Sequence, residues 1–235
     1  MKPIRIFRHV ACEGPGYFAT VLENYHIPYD IVRVDAGETP PPQLDDISAV
    51  VFMGGPMSVN DDLPWIAQEL DIIRRAVASD LPVLGHCLGG QLISKALGGT
   101  ISANPVKEIG WLPVQKLDNP AAHDWLADMA DDPTLFHWHG ETFSIPQGAN
   151  PILKSQHCQH QGFVMGNTLA LQCHVEMDAD MVREWANLYS DELSPTSTTI
   201  QSPEQMTDNL EGKIRVLHDT AEALYRRWIQ PLMNN

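Results

Sequence analysis

Basic residues are scarce in this chain: 15 lysines and arginines face 30 aspartates and glutamates over 235 residues, a formal charge of -15. That balance repels phosphate backbones, and no Lys/Arg cluster overrides it, so nucleic acid is not expected as a direct partner. Long apolar runs are missing too. The start MKPIRIF steps from one charged residue into a short strand, with no segment long enough for a signal peptide or membrane span. A cytoplasmic location without membrane association is the expectation. The four cysteines, Cys12, Cys87, Cys158 and Cys173, form no C-x-x-C pair and no framework spacing. Free thiols in a reducing compartment follow, and a disulfide scaffold does not. Internal repeats are absent, and neither glycine run has the G-x-x-x-x-G-K-[ST] form of a phosphate-binding loop. What remains is an ordinary globular composition, 43% hydrophobic and 19% charged, that suits one large α/β domain.

Short apolar runs at Ile4 to Val10, Asp30 to Val34, Ala49 to Met53 and Leu81 to Gly85 read as strands. Between them, Gly16 to Tyr25 and Pro64 to Ser79 have helical spacing, the second with proline in its first turn. This βαβα order predicts a central, mostly parallel sheet with helices on both faces, where sites form at the carboxyl ends of strands. Glu108 to Lys116, Thr134 to Ile145, Pro151 to Met165 and Thr168 to His174 then read as consecutive strands, predicting an antiparallel extension. Asp178 to Tyr189 is helical, 190–202 is a polar loop read as a solvated connector, and 203–230 is a long amphipathic helix. Its apolar positions Leu210, Ile214, Leu217, Ala221, Leu224 and Trp228 predict packing onto the chain's own sheet.

The most informative segment is LPVLGHCLGGQLISKALGG, residues 81–99. A short strand enters Gly85-His86-Cys87-Leu88-Gly89-Gly90-Gln91 and continues as a helix, which places Cys87 on a sharp strand-to-helix turn flanked by glycines. Such an elbow exposes a nucleophile, and the helix start favours thiolate and a developing oxyanion. A thiol nucleophile needs a base and a group to orient it. His174 and Glu176 end an apolar strand two residues apart, so they project to one side about 7 Å apart at Cα. Cys173 alternates to the other face and reads as a small core residue. Met53-Gly54-Gly55-Pro56-Met57-Ser58 follows a strand at the same edge as the elbow, so Gly54 and Gly55 can offer amides beside that of Leu88 as an oxyanion hole.

Ten histidines raise a metal reading, notably His137-Trp138-His139 and His157-Cys158-Gln159-His160. No third and fourth ligand stand at familiar spacing, so no metal and no organic cofactor is expected. Trp111, Phe136, Trp138 and Phe143 alternate as core residues of strands.

Taken in order, MGGPMS, the G-x-C-x-G-x-Q elbow of Gly85 to Gln91, Glu108-Ile109-Gly110-Trp111, Trp138-His139-Gly140-Glu141-Thr142-Phe143 and Gln172-Cys173-His174-Val175-Glu176 resemble the class I, or Cys-His-Glu triad, glutamine amidotransferases. The likeness is nearest to free-standing members similar to the GMP synthase amidotransferase, a group that includes γ-glutamyl peptidases. It spans most of the chain and implies a flavodoxin-like fold in a single domain over 1–235, with a catalytic core to about 190. It also implies that Cys87 attacks the γ-carbonyl of glutamine or a γ-glutamyl compound, that His174 shuttles the proton, that Glu176 orients it, and that Gln91 positions substrate. Gln159-His160-Gln161-Gly162-Phe163 resembles the family's turn whose backbone binds the substrate's amino-acid end, which assigns His160, Gly162 and Phe163 to binding. Asparagine is common in the family where His160 stands, and Cys173 and Val175 replace the commoner aromatic and proline. Three outcomes stay open: an amidotransferase serving a separate acceptor or synthetase protein, a γ-glutamyl peptidase acting alone, and a silent binding protein of the same fold.

Overall fold

Runs of β-branched and aromatic residues, each closed by a polar or glycine-rich stretch, build the parallel half of the sheet: β1 (Ile4–Arg8), β2 (Tyr29–Arg33), β3 (Ala49–Phe52) and β4 (Val83–His86). The structure is a computed structural model and describes residues 1–233. The second half supplies β5 (Ile101–Lys116), β6 (Thr134–Phe143), β7 (Asn150–Ser155), β8 (Gly162–Met165) and β9 (Thr168–Leu171). All nine join one sheet in the order β2-β1-β3-β4-β9-β8-β7-β5-β6. Pairings from β2 across to β9 are parallel, and from β9 onward each pairing is antiparallel. The mixed α/β architecture therefore has its antiparallel extension attached at β9, directly beside the elbow strand β4.

The helices α1 (Gly16–Asn24), α2 (Pro64–Ala78), α3 (Leu88–Ala96), α4 (Pro120–Trp125), α5 (Ala179–Leu188), α6 (Pro203–Thr207) and α7 (Leu210–Met233) flank this sheet. Two buried clusters form. Ile66, Ile72 and Ile73 of α2 and Leu92 and Ile93 of α3 pack with Val50, Phe52 and Val83. Phe18 of α1, Val182 and Trp185 of α5, and Leu217, Leu224 and Trp228 of α7 pack with Ile4, Val51 and Leu84. Alternate residues of the same strands thus feed both layers. The apolar stripe of α7 is buried inside the chain, where Trp228 Nε1 donates to the Val83 carbonyl at 3.1 Å.

Four expectations are corrected. Strand β5 starts at Ile101, seven residues before Glu108, because a bulge between Ala103 and Glu108 breaks the alternation that periodicity follows. Pro151 to Met165 is two strands, since the Ser155 hydroxyl accepts from the Cys158 amide at 2.9 Å and closes a turn. The helix of 203–230 is broken at Asp208 and Asn209, the latter at φ 46, and α6 has its own capping box from Ser202 and Gln205. Finally, 190–202 is a solvated connector only in its middle, where 194–198 are exposed. Ile109 donates to Thr199 at 2.8 Å and Gln201 to Ile109 at 3.0 Å, so the segment is stitched along β5 with Leu193 buried.

Helix α3 lies close enough to the sheet that side chains are excluded from its first turn. A Cβ on Gly89 would enter the Phe52 carbonyl, and one on Gly90 would enter that of Leu171. Gly89→Ala should therefore lower the free energy of unfolding by about 3 kcal/mol, measured by urea denaturation. An unchanged midpoint would mean that α3 is not seated as described.

Candidate active site

Strand β4 ends at His86, and Cys87 takes φ 49, ψ -105 before α3 begins. A non-glycine residue in that region is strained and must be held by its surroundings. Here the Cys87 amide donates to Leu171 at 2.8 Å and its carbonyl accepts from Gln91 at 3.0 Å. The thiol is 7% exposed, 3.7 Å from the Trp138 carbonyl and 3.5 Å from Gln172 Nε2.

His174 is pinned by a main-chain bond to Phe136 of 2.8 Å and by edge-on contact with Trp185. Its Nδ1 meets Glu176 Oε1 at 2.6 Å, which leaves Nε2 for the thiol of Cys87. Burial alone would lower the imidazole's pKa, but the Glu176 charge, and after it the neighbouring Cys87 thiol, raise it well above the ordinary value. Burial likewise opposes ionisation of Glu176, yet the flanking His86 and His174 and the short hydrogen bond hold its pKa down to about 2. Burial keeps His86 itself below the usual range. Cys87 and His174 thus line one cleft, with Glu176 holding the imidazole from its Nδ1 side.

Gly55 lines the same cleft, a volume of about 260 Å³ that also holds Cys87, Gln91 and His174. Gly54 lies just behind, where a Cβ would touch Glu13 Oε2 and stand 3.2 Å from His174 Cε1. The Leu88 side chain packs on Gly55. Below this glycine loop, His9 Nδ1 contacts the Met53 carbonyl at 3.0 Å and His9 Nε2 meets Glu69 at 3.0 Å, a fully buried pair that props the loop. Gln91 Nε2 donates to Gln172 at 3.3 Å on the cleft floor.

The three remaining assignments are corrected. His160, Gly162 and Phe163 do not line the cleft. Phe163 alternates into the core and packs edge-on against Phe143, and Gly162 sits over Leu171 in β8. His160 binds the Phe143 carbonyl at 2.7 Å and borders a separate groove with Asn104, Thr142 and His157. Trp138, expected in the core, instead walls the cleft, donating to Glu192 Oε1 at 3.3 Å.

Sequence reasoning also missed Glu13, Tyr189, Glu141, Glu192 and Lys107, all on the cleft. Glu13 had a signal: it follows β1 at the carboxyl edge of the sheet, as the elbow follows β4. Its Oε1 accepts from the Tyr189 hydroxyl at 3.3 Å. The 3-10 turn Ser190–Leu193 brings in Glu192, which pairs with Lys107 at 2.7 Å.

Fold and site together define an α/β protein with an elbow cysteine facing a carboxylate-held histidine at the carboxyl edge of a parallel sheet. The family model "Glutamine amidotransferase class-I" matches residues 18–181. The chain belongs to that family. It is 29% identical to the glutamine amidotransferase-like protein YfeJ of Salmonella typhimurium over 96% of this chain and 90% of the relative. A glutamine-hydrolyzing GMP synthase subunit of Sulfurisphaera tokodaii is 31% identical over 60% of this chain and 73% of its own. A glutamine amido transferase structure from Methylobacillus flagellatus superposes with a TM-score of 0.94 at 43% identity, covering 98% of this chain and 95% of that one. No helix among the described residues is long and apolar enough to cross a membrane.

Glu13 makes the site's clearest pH signature. Burial raises its carboxyl from 4.5 to about 7, against the attraction of His174 and with the repulsion of Glu176. Below pH 4.5 the group is protonated whether the chain is folded or not, and between 4.5 and 7 only the unfolded chain ionises freely. Its contribution to stability is complete at the acid end of that window and lost as pH rises through it, to a total of about 3 kcal/mol. Glu13→Gln should abolish that loss, so the variant gains on the wild type between pH 4 and pH 8 in parallel urea titrations. A stability difference that is flat across this range would mean Glu13 is not buried as a neutral acid.

Proposed function

We propose that the protein hydrolyses the γ-amide of glutamine or a γ-glutamyl amine through a thioester on Cys87. The reading rests on the grouping of Cys87, His174 and Glu176 beside the Gly54-Gly55 loop. His174 Nε2 holds the proton taken from the Cys87 thiol as sulfur attacks the γ-carbonyl carbon, and the amides of Leu88 and the glycine loop receive the oxyanion. His174 returns the proton to the departing nitrogen, the C–N bond breaks, and ammonia or an amine leaves an acyl-enzyme. The same imidazole then takes a proton from water, which attacks the thioester. The C–S bond breaks, glutamate departs and the thiol is restored. Glu176 fixes the tautomer that points Nε2 at sulfur and steadies the imidazolium.

The wall of the cleft favours leaving groups without a carboxylate. Glu141 and Glu192 line the cleft, with Glu13 half-ionised near pH 7; against them stand Lys107, already paired with Glu192, and His174, already paired with Glu176. A peptidic leaving group would bring a further anion into this field, whereas ammonia or an amine would not. Likeness to the Sulfurisphaera tokodaii GMP synthase component supports a separate acceptor protein for the nitrogen.

Glutamate release should be followed from glutamine, a γ-glutamyl amine and glutathione. Cys87→Ala should be silent on all three, and a variant with wild-type turnover would sink the thioester mechanism. Glu176→Gln should lower kcat by about 10³-fold with the fold intact. The carboxylate-free substrates should exceed glutathione by about tenfold or more in kcat/KM, equivalent to about 1.4 kcal/mol. Preference for glutathione would reverse the leaving-group assignment while leaving the thioester in place. A glutamine rate that rises on addition of a synthetase would mark transfer rather than simple release.

A further inference from the structure

A second group of polar side chains lies behind the cleft wall, in the β5–β6 pair. Glu108 is registered opposite His139 and Gly110 opposite His137, so alternation directs Glu108, His137 and His139 to one face. One donor atom from each lies within 4.8 Å of the others, and all three residues are buried. Glu108 Oε2 and His139 Nε2 are 3.2 Å apart. A tetrahedral ion with bonds near 2.0–2.1 Å keeps its donors about 3.3 Å apart, so that edge already has the required length. The other two edges are no longer than 4.8 Å, so a shift of at most about 1.5 Å closes them.

His137 supplies the independent observation. It is 0% exposed, and neither of its ring nitrogens makes a hydrogen bond of good geometry, the Leu112 main chain being a weak neighbour only. An imidazole stranded in this way forgoes a donor and an acceptor bond, each costing about 1–3 kcal/mol, where an apolar side chain would fill the space at no such cost. A cation explains the residue. The neighbours suit one as well. His139 Nδ1 is occupied by the Glu141 carbonyl at 3.0 Å, which turns Nε2 and its lone pair toward the cluster. Glu108 Oε1 accepts from Ser155 at 2.7 Å, so Oε2, held now by the Gln161 amide, is the oxygen turned toward the cluster. The Gln161 amide nitrogen lies 2.8 Å from Glu108 Oε2 and 3.2 Å from His139 Nε2, while its Oε1 lacks a partner. Rotating that amide brings a carbonyl oxygen to the fourth corner.

We propose that Glu108, His137 and His139 bind a divalent transition-metal ion, with zinc best matched to two nitrogens and a carboxylate, and that the ion fastens β5 to β6. The fastening has a purpose in the fold. His139 and Glu141 line the substrate cleft, so an ion here would stiffen one wall without contacting Cys87.

The test uses tag-free full-length protein, loaded with zinc chloride, desalted and assayed for metal by mass spectrometry, with Cys87→Ala in parallel to remove the reactive thiol. Both proteins should retain about one zinc per chain, and Glu108→Gln and His137→Gln should lose it by at least about tenfold. His157→Gln, outside the cluster, should retain it. Zinc should raise the Tm of the wild type and a chelator should reverse the shift. Cobalt-loaded wild type gives a readout that does not depend on variants folding: tetrahedral d–d bands without a thiolate charge-transfer band are expected. Less than about 0.1 zinc per wild-type chain with no Tm response would overturn the proposal. So would metal that persists in Glu108→Gln and disappears in Cys87→Ala, which would place it on the catalytic thiol.

Discussion

A carboxylate held inside the protein sets the terms for much of this structure. Glu176 is 1% exposed, and an ion in that position costs several kcal/mol unless its surroundings compensate it. One oxygen is satisfied by His174 at 2.6 Å, and the other has no hydrogen-bond partner and lies 3.8 Å from His86 Nε2. His86 is in turn held at 2.8 Å by the hydroxyl of Tyr225 on α7. The last long helix, remote in sequence from the elbow, therefore closes the space behind the carboxylate. Removing its apolar stripe would expose the layer that keeps Glu176 in a dry setting, where its hold on the imidazole is strongest.

The elbow imposes a second, steric constraint that works with the first. Cys87 can keep its strained backbone only if α3 presses onto β3 and β9, and α3 can press that closely only where Gly85, Gly89 and Gly90 present no side chain. The hydrogen bond from the Cys87 amide to Leu171 ties the elbow to β9, and three residues later that same chain reaches His174. Cys87 and His174 thus follow two neighbouring strands, β4 and β9, that are paired in register. That is the condition under which a near-attack geometry can be held without paying for it at each turnover.

The elbow, the two-residue spacing of His174 and Glu176, and the β-α alternation were legible because they are local. A strand's period, a glycine run and a motif all report on the next few residues. Glu192 and Lys107 were not legible because they reach the cleft through pairings between distant segments. Glu192 arrives only because 190–202 runs alongside β5, a contact made by main-chain bonds that carry no side-chain signature. His160 and Phe163 failed for a related reason. The motif aligned their names, but the turn at Ser155 and the pleat of β8 decide which way they face. The His137-Trp138-His139 spacing was visible, whereas the carboxylate that joins it is supplied by the register of β5 against β6.

The glycine at 54 links the two carboxyls of the site. Because it lacks a Cβ, Glu13 can come up on the far side of the loop that faces His174, close enough that a side chain at 54 would touch both. The imidazole consequently has Glu176 as its hydrogen-bonded partner and Glu13 as a more distant neighbour, with opposite protonation tendencies: the first is held near 2 and the second near 7. That division leaves one carboxylate charged against the imidazole while the other stays close to the balance point between its two protonation states. Two acids of the same chemistry are separated in behaviour by how closely each is paired: Glu176 is hydrogen-bonded to His174 at 2.6 Å, whereas Glu13 has the more distant pull of His174 and His9 to set against its burial. The charge of the cleft is therefore set by burial and pairing, and hardly at all by the chain's overall acidity.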